Sequence, residues 1–127
     1  MINLDNCRTM NDLTDLKVAK ALIYNPENKI LVLIRGDGHP SFPGHYDFPG
    51  GLIEDNENPN SAIRREIFEE IGLNIKTKRI DLIYSHTYTS NNNTHYIYKL
   101  SMHNNFNINL SWEHKGFTWL SKQELID

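Results

Sequence analysis

The chain has 127 residues, a formal net charge of −3 and 39% hydrophobic residues. These values predict one globular domain with a real core, without the overall positive charge of a polynucleotide-binding surface and without a membrane span. The single cysteine, Cys7, excludes an intrachain disulfide, is expected to be incidental, and favours a reducing, cytoplasmic location. The N-terminal stretch has neither a basic start nor an apolar run, so we expect no signal peptide.

The first part of the chain predicts a lead-in followed by two strands. Residues 1–16 have no clean period and are expected to be irregular, so the domain is predicted to span residues 17–127. Lys17–Tyr24 and Lys29–Ile34 have strand composition, and the Asn-Pro-Glu-Asn sequence between them favours a turn. We therefore expect a hairpin, with its second, nearly all-apolar strand buried on both faces.

A loop rich in glycine, proline and histidine follows from Arg35 to Asp47. His39 and His45 lie in it without metal-ligand spacing and are interpreted as loop residues. The loop ends in Phe48-Pro49-Gly50-Gly51, where the glycines would let the backbone approach a ligand or metal closely.

Residues 58–72 predict the main helix. Asn58 can cap its start, Pro59 suits its first position, and Gly72 suits the left-handed residue that ends it. Its apolar residues recur at four-residue spacing and predict one buried stripe, which consists of Ile63, Ile67 and Ile71 with Phe68 beside them.

Glu66, Glu69 and Glu70 stand three and four positions apart on this helix and so share a face. Like charges at this spacing repel each other, and clustered carboxylates suit hard divalent cations such as Mg²⁺. The alternative is a solvated acidic face that forms a few ion pairs with Arg64 and Arg65.

The rest of the chain predicts further strands and a short helix: β-rich residues 74–89, a turn at 90–93, strands at Thr94–Met102 and Gly116–Leu120, a candidate strand at Phe106–Leu110, and a helix from the capping box Ser121–Glu124 to Asp127. This order predicts an α/β or α+β fold with a mixed sheet between helices.

Aromatic residues alternate along two of the strands (Tyr84, His86 and Tyr88; Tyr96 and Tyr98). They could stack a base, although cross-strand pairs that stabilise the sheet are the simpler interpretation.

Residues Gly51 to Leu73 have the pattern G-x5-E-x7-R-E-U-x-E-E-x-G-U, where U is aliphatic. This pattern resembles the Nudix box, the signature of the Nudix (MutT-like) hydrolases, with every fixed position filled. The resemblance implies an α/β/α sandwich and hydrolysis of a nucleoside diphosphate linked to another group. Members usually close the sheet with a longer C-terminal helix, whereas only seven residues follow Leu120 here. Either the short helix suffices, or the lead-in or the partner chain of a homodimer covers that face.

The resemblance also implies a site that holds Mg²⁺, or Mn²⁺ as a substitute. The expected metal ligands are the Gly50 carbonyl, Glu57, Glu66, Glu69 and Glu70. Arg65 can pair with Glu57 or Glu69 and so fix the carboxylate rotamers.

The general base stays open among Glu66, Glu70 and Glu113, with Glu113 carried over from relatives in which a glutamate of a later loop serves. The alternative for Glu113 is a solvated loop acid. Arg35 and Tyr88 are the candidates for substrate binding, and the alternative for Arg35 is an ordinary surface arginine.

The resemblance carries weaker marks of the substrate. ADP-ribose hydrolases typically have prolines after the box, but the last proline here is Pro59. The Glu113-His114 pair favours members that cleave a (deoxy)nucleoside triphosphate to monophosphate and pyrophosphate, while Tyr88 or Tyr96 keeps a dinucleoside polyphosphate open. A nucleotide-sugar hydrolase stays open as well, and so does a non-catalytic nucleotide sensor, for which a loss of box carboxylates would be expected. A small-molecule nucleotide is the expected partner.

Overall fold

The structure, a computed structural model, describes residues 14–38 and 42–127. These residues form strands and helices in the order β1 (Lys17–Tyr24), β2 (Ile30–Arg35), β3 (Tyr46–Asp47), β4 (Gly50–Leu52), α1 (Pro59–Ile71), β5 (Asp81–Thr87), β6 (Thr94–Ser101), β7 (His114–Leu120) and α2 (Lys122–Ile126). The strands belong to one mixed sheet, so the predicted α+β class is confirmed. The predicted lead-in falls mostly outside the described residues, and its boundary at residue 17 stays a prediction.

Strand β1 lies at the centre of the sheet and pairs with three other strands. It runs parallel to β6 along its whole length, and its first half pairs antiparallel with β4. Strand β2 meets β1 only where Tyr24 lies opposite Ile30, and then pairs with β7 on one side and β3 on the other. The predicted hairpin is therefore wrong beyond its turn, because β4 and β6 occupy the two edges of β1.

The two faces of β1 have different roles because side chains alternate along a strand. Ala19, Ala21 and Ile23 are fully buried in the core. The buried isoleucines of α1 belong to the same cluster. The intervening residues, among them Lys20, point to the opposite face of the sheet. The core thus fixes α1 on one face, while the other face holds charged and aromatic side chains.

Helix α1 begins and ends as predicted. The Asn58 side chain accepts a 2.8 Å hydrogen bond from the Ser61 N–H, and Pro59 fills the first position. Gly72 adopts a left-handed φ of 73° and donates its N–H to the Phe68 carbonyl. The three isoleucines of the predicted stripe are fully buried, but the prediction for Phe68 is wrong because 56% of it is exposed. One residue past Ile67 is about 100° further round the helix, beyond the buried stripe.

Residues 102–113 connect β6 to β7 without forming a strand, so the prediction for Phe106–Leu110 is wrong. The Asn109 and Ser111 N–H groups instead donate to the carbonyls of Ile71 and Glu70. The last turn of a helix leaves such carbonyls without a partner in the helix. The connection therefore caps α1, and its alternating apolar residues still pack against the core.

The C-terminal helix α2 has the predicted capping box, in which Ser121 and Glu124 bond each other's backbone N–H. It contains five residues, none of them buried. All seven residues of β5, at the edge of the sheet, are exposed. Within the described ranges, no helix has the length and apolar character needed to span a membrane.

Candidate active site

Two of the three clustered glutamates on α1 are buried. Glu66 and Glu70 are 0% and 1% exposed, whereas the Glu69 side chain is 40% exposed. The two buried residues flank the isoleucine stripe, since positions 63, 66, 67, 70 and 71 lie on one side of a helix. The alternative of a solvated acidic face is therefore wrong for Glu66 and Glu70. A buried carboxylate is costly unless it is paired, which marks this flank of α1 as a site.

Strand β4 passes directly over these carboxylates, and its two glycines allow the close approach. The Gly50 N–H donates a 2.7 Å hydrogen bond to Glu70 Oε1. A Cβ atom on Gly51 would lie 2.9 Å from the carboxylate of Glu66. Gly50 has a φ of 137°, and a Cβ atom there would lie 2.0 Å from the Ala19 carbonyl oxygen. The glycines thus let the backbone approach the carboxylates of α1 closely, while the expected approach to a ligand or metal stays a prediction.

Arg65 joins the carboxylates into a network. Its Nε and Nη2 donate to both oxygens of Glu57, at 2.8 and 2.9 Å, and its Nη1 donates to Glu66 at 3.1 Å and Glu69 at 3.2 Å. Both expected partners, Glu57 and Glu69, are therefore engaged. Both oxygens of Glu57, predicted as a metal ligand, face the guanidinium, so in this arrangement Glu57 orients Arg65.

Glu113 and His114 reach the same site from the start of β7. Both are 4% exposed, so the alternative of a solvated loop acid is wrong for Glu113. His114 Nδ1 lies 3.7 Å from Glu70 Oε2. The Gly36 N–H donates to the Glu113 carbonyl at 2.8 Å and ties this turn to the end of β2. The contact of His114 with Glu70 was not predicted from the sequence. The only sequence signal for this contact was the position of His114 directly after Glu113.

Burial raises the pKa of the three buried glutamates. Desolvation raises the pKa of Glu70 to about 8, although the Lys20 charge and the Gly50 N–H act in the opposite direction. Desolvation also raises the pKa of Glu66 above its ordinary range, which the Arg65 charge partly offsets. The pKa of Glu113 is raised mainly by burial, with a further contribution from the negative charge of Glu69. A group of carboxyls with raised pKa values is typical of a functional site.

The donor set fits a hard divalent cation. Glu66 Oε2 and Glu70 Oε2 are buried and have no hydrogen-bond partner. Carboxylate oxygens are the ligands that Mg²⁺ prefers, and a cation would compensate their desolvation. In the described ranges no three Asp, Glu, His or Cys side chains already form a metal-binding group. Side-chain rotation would therefore accompany binding.

Three charged residues on the other side of β4 form a second network that sequence reasoning largely missed. Lys20 and Arg35 both bind Asp47, at 3.1 and 3.2 Å. The Lys20 Nζ also donates to the Gly50 carbonyl at 3.3 Å, so the carbonyl predicted as a metal ligand faces an ammonium group. Arg35, which was predicted to bind substrate, lies at the end of β2 in this network. Its ion pair with Asp47 does not support the alternative interpretation, in which Arg35 is an ordinary surface arginine. No local pattern indicates Lys20 or Asp47, because their contact depends on the pairing of β1 with β4.

The aromatic residues divide between the two faces of the sheet. Tyr98 is buried in the core and Tyr96 packs against it, which favours a structural role for this pair. Tyr88, predicted to bind substrate, is 44% exposed and packs edge-on against His86 and His95. Because His95 and Lys20 lie on the same face of adjacent strands, the exposed row of aromatic rings shares its face with the Lys20 network.

Part of the chain is similar in sequence to curated proteins that are named as diphosphatases or pyrophosphatases. The chain is 37% identical over 67 residues to an 8-oxo-dGTP diphosphatase from Proteus vulgaris, which covers 52% of this chain and 58% of that protein. It is 43% identical over 63 residues to an ADP-ribose pyrophosphatase from Methanocaldococcus jannaschii, which covers 50% of this chain and 36% of that protein. The chain thus spans about half, or less, of the length of these curated relatives.

Solved structures share the fold of this chain. The MutT protein from Methanosarcina mazei superposes with a TM-score of 0.73 at 23% identity, over 87% of this chain and 80% of that one. At this identity the likeness shows the fold alone. The model of the NUDIX domain matches residues 15–127, which include the box, the glycine strand and the Glu113 turn. The chain therefore belongs to the Nudix (MutT-like) hydrolase family.

Proposed function

We propose that this protein is a divalent-cation-dependent pyrophosphohydrolase that cleaves a nucleoside diphosphate linked to another group. The observation that carries this proposal is the buried pair Glu66 and Glu70 on α1. Each has one carboxylate oxygen without a hydrogen-bond partner. Strand β4 packs closely against them because Gly50 and Gly51 have no side chains. A non-catalytic nucleotide sensor would be expected to lose carboxylates of the box, and all of them are present here.

Glu66, Glu69 and Glu70 would hold Mg²⁺, or Mn²⁺ in its place, with the Gly50 carbonyl as a further oxygen ligand. A bound cation of this kind supplies charge neutralisation on phosphate oxygens and a more acidic water. Arg65 keeps Glu66 and Glu69 oriented through its hydrogen bonds, and Glu57 holds Arg65 in turn. These contacts hold the side chains in place before the substrate arrives, which phosphoryl transfer needs more than covalent help.

The reaction requires a group that accepts a proton from the attacking water, and it releases the bridging oxygen with its leaving group. Water attacks a phosphorus atom, the bond from that phosphorus to the bridging oxygen breaks, and a carboxylate takes the proton that the water loses. Glu66, Glu70 and Glu113 are the candidates for this base, since all three are buried at the site with a raised pKa. A raised pKa makes a carboxylate a better proton acceptor near neutral pH.

The substrate we propose is a (deoxy)nucleoside triphosphate, cleaved to monophosphate and pyrophosphate. Two features support it: the buried Glu113-His114 pair beside Glu70, and the similarity to an 8-oxo-dGTP diphosphatase. Arg35 is the candidate for contact with phosphate and Tyr88 for contact with the base. The relative named as an ADP-ribose pyrophosphatase makes ADP-ribose the appropriate competitor.

A competition assay tests this proposal. A canonical or 8-oxo (deoxy)nucleoside triphosphate and ADP-ribose are supplied together with Mg²⁺, and the loss of each is followed in one reaction. Specificity is a ratio of kcat/KM values, so activity on one substrate alone does not decide it. We expect the triphosphate to be consumed first, and pyrophosphate rather than phosphate to appear. Preferential loss of ADP-ribose would contradict the proposed substrate. If neither substrate is lost, or if the loss does not depend on Mg²⁺, the proposed reaction is contradicted.

A further inference from the structure

The ammonium group of Lys20 occupies an unusual position for a lysine. Its side chain is only 19% exposed. Nζ donates to both oxygens of Asp47 at 3.1 and 3.2 Å, and to the carbonyls of Phe48 and Gly50 at 3.3 Å each. Four oxygens surround three N–H donors, so the positive charge is held in one place by the turn between β3 and β4.

This charge is linked to the buried carboxylate of Glu70 through the backbone of a single residue. The Gly50 carbonyl accepts from Lys20, while the N–H of the same residue donates to Glu70. The backbone of Gly50 therefore joins the ammonium group of Lys20 to the carboxylate of Glu70, and the positive charge lies close to the expected metal ligands.

We propose that Lys20 is an internal counter-ion that competes with the divalent cation and so sets the metal affinity of the site. The proposal rests on the cation requirement proposed above. An ammonium beside the ligands repels a second cation, and it already occupies the Gly50 carbonyl that we expect the metal to use. Removal of this one charge should therefore make the metal bind more tightly, the reverse of what loss of a supporting residue would do.

The competing interpretation is that Lys20 only anchors the turn of residues 47–50. In that case its loss would loosen the turn, misplace Gly50 and weaken metal binding. Two substitutions separate charge from anchoring. Lys20→Met keeps the length of the side chain but removes both charge and donors, whereas Lys20→Gln removes the charge and keeps an N–H donor for Asp47 or the carbonyls.

The experiment is a Mg²⁺ titration by calorimetry, without substrate, on the wild type and both variants. The control is Lys17→Met, which removes an exposed positive charge three residues earlier on the same strand. We expect Kd to fall about fivefold or more in both Lys20 variants, the lower end of typical coupling between two sites, and to stay unchanged in the control.

Unchanged or weaker Mg²⁺ binding in a folded Lys20→Gln variant would overturn the proposal, even if Lys20→Met fails to fold. An equal gain in Lys17→Met would also overturn it, because the effect would then reflect net charge alone. Binding to the wild type with no gain in the variants leaves the proposed function intact and rejects only the role of Lys20. Failure of all four proteins to bind Mg²⁺ rejects the cation requirement and the role of Lys20 together.

Discussion

The peptide N–H of Gly50 donates a 2.7 Å hydrogen bond to Oε1 of Glu70, across twenty residues of sequence. This bond joins the glycine strand to the helix that carries the buried carboxylates. It also leaves Glu70 Oε2 as the oxygen that faces His114. The backbone therefore orients the side chain that the proposed reaction depends on.

Glu70→Gln should keep the fold and lose most of the activity. The amide oxygen of glutamine can still accept the Gly50 hydrogen bond, while the charge for a cation and the capacity to take a proton are lost. We expect turnover to fall about 10²- to 10⁴-fold, the range that acid–base catalysis contributes. Steady-state kinetics with Mg²⁺ and a melting curve check this, with Glu69→Gln as a second carboxylate variant. Near-native turnover of Glu70→Gln would remove Glu70 from the metal and base assignments.

The two glycines of β4 should respond differently to substitution by alanine. Gly51→Ala places a methyl group against the Glu66 carboxylate, a side chain that can shift, so we expect a cost below about 3 kcal/mol. Turnover should still fall about a hundredfold, as it does when a catalytic group is misplaced by about 1 Å. Chemical denaturation and kinetics on the same samples measure both effects.

Gly50→Ala should instead strongly destabilise the folded protein. Its Cβ atom would lie 2.0 Å from the Ala19 carbonyl oxygen, and its φ of 137° disfavours any side chain. We expect a loss of about 4 kcal/mol or more, in the range that few substitutions reach. A Gly50→Ala protein as stable as Gly51→Ala would show that β4 does not pass β1 as closely as described.

Mg²⁺ should raise the melting temperature of the wild type. A ligand that binds only the folded state stabilises it by RT ln(1 + [L]/Kd), about 2.7 kcal/mol at a hundredfold excess over Kd. A triple variant in which Glu66, Glu69 and Glu70 are replaced by glutamine should show a much smaller shift. Calorimetric melting with and without the ion measures both, and equal shifts would place the ion elsewhere.

Asn58→Ala tests the helix on which the site is built. The Asn58 side chain accepts the Ser61 N–H, and loss of such a cap typically costs about 1 kcal/mol. Ser61→Ala is the matched control because it keeps the N–H that donates. Urea denaturation should show the loss in Asn58→Ala and a change below about 0.5 kcal/mol in Ser61→Ala. Equal losses would mean that the cap does not set the stability of α1.

The sequence alone determined the parts of the fold that depend on neighbouring residues. The cap at Asn58, the stop at Gly72 and the spacing of the buried isoleucines each act within a few turns of α1, and all three agree with the structure. Strand β1 was predicted at its observed bounds for the same reason. The filled box pattern indicated the family because its fixed positions lie within one short stretch.

Tertiary structure decided what surrounds the carboxylates. Periodicity placed Glu66 and Glu70 on a helix face but could not show that the face is buried, since β4 and the Glu113 turn that cover it come from distant parts of the chain. The hairpin expected for β1 and β2 extends only to the pair Tyr24 and Ile30 for a similar reason, because β4 and β6 pair with the rest of β1. The contact of Lys20 with Gly50 exists only through the pairing of β1 with β4, which brings together residues that are thirty positions apart.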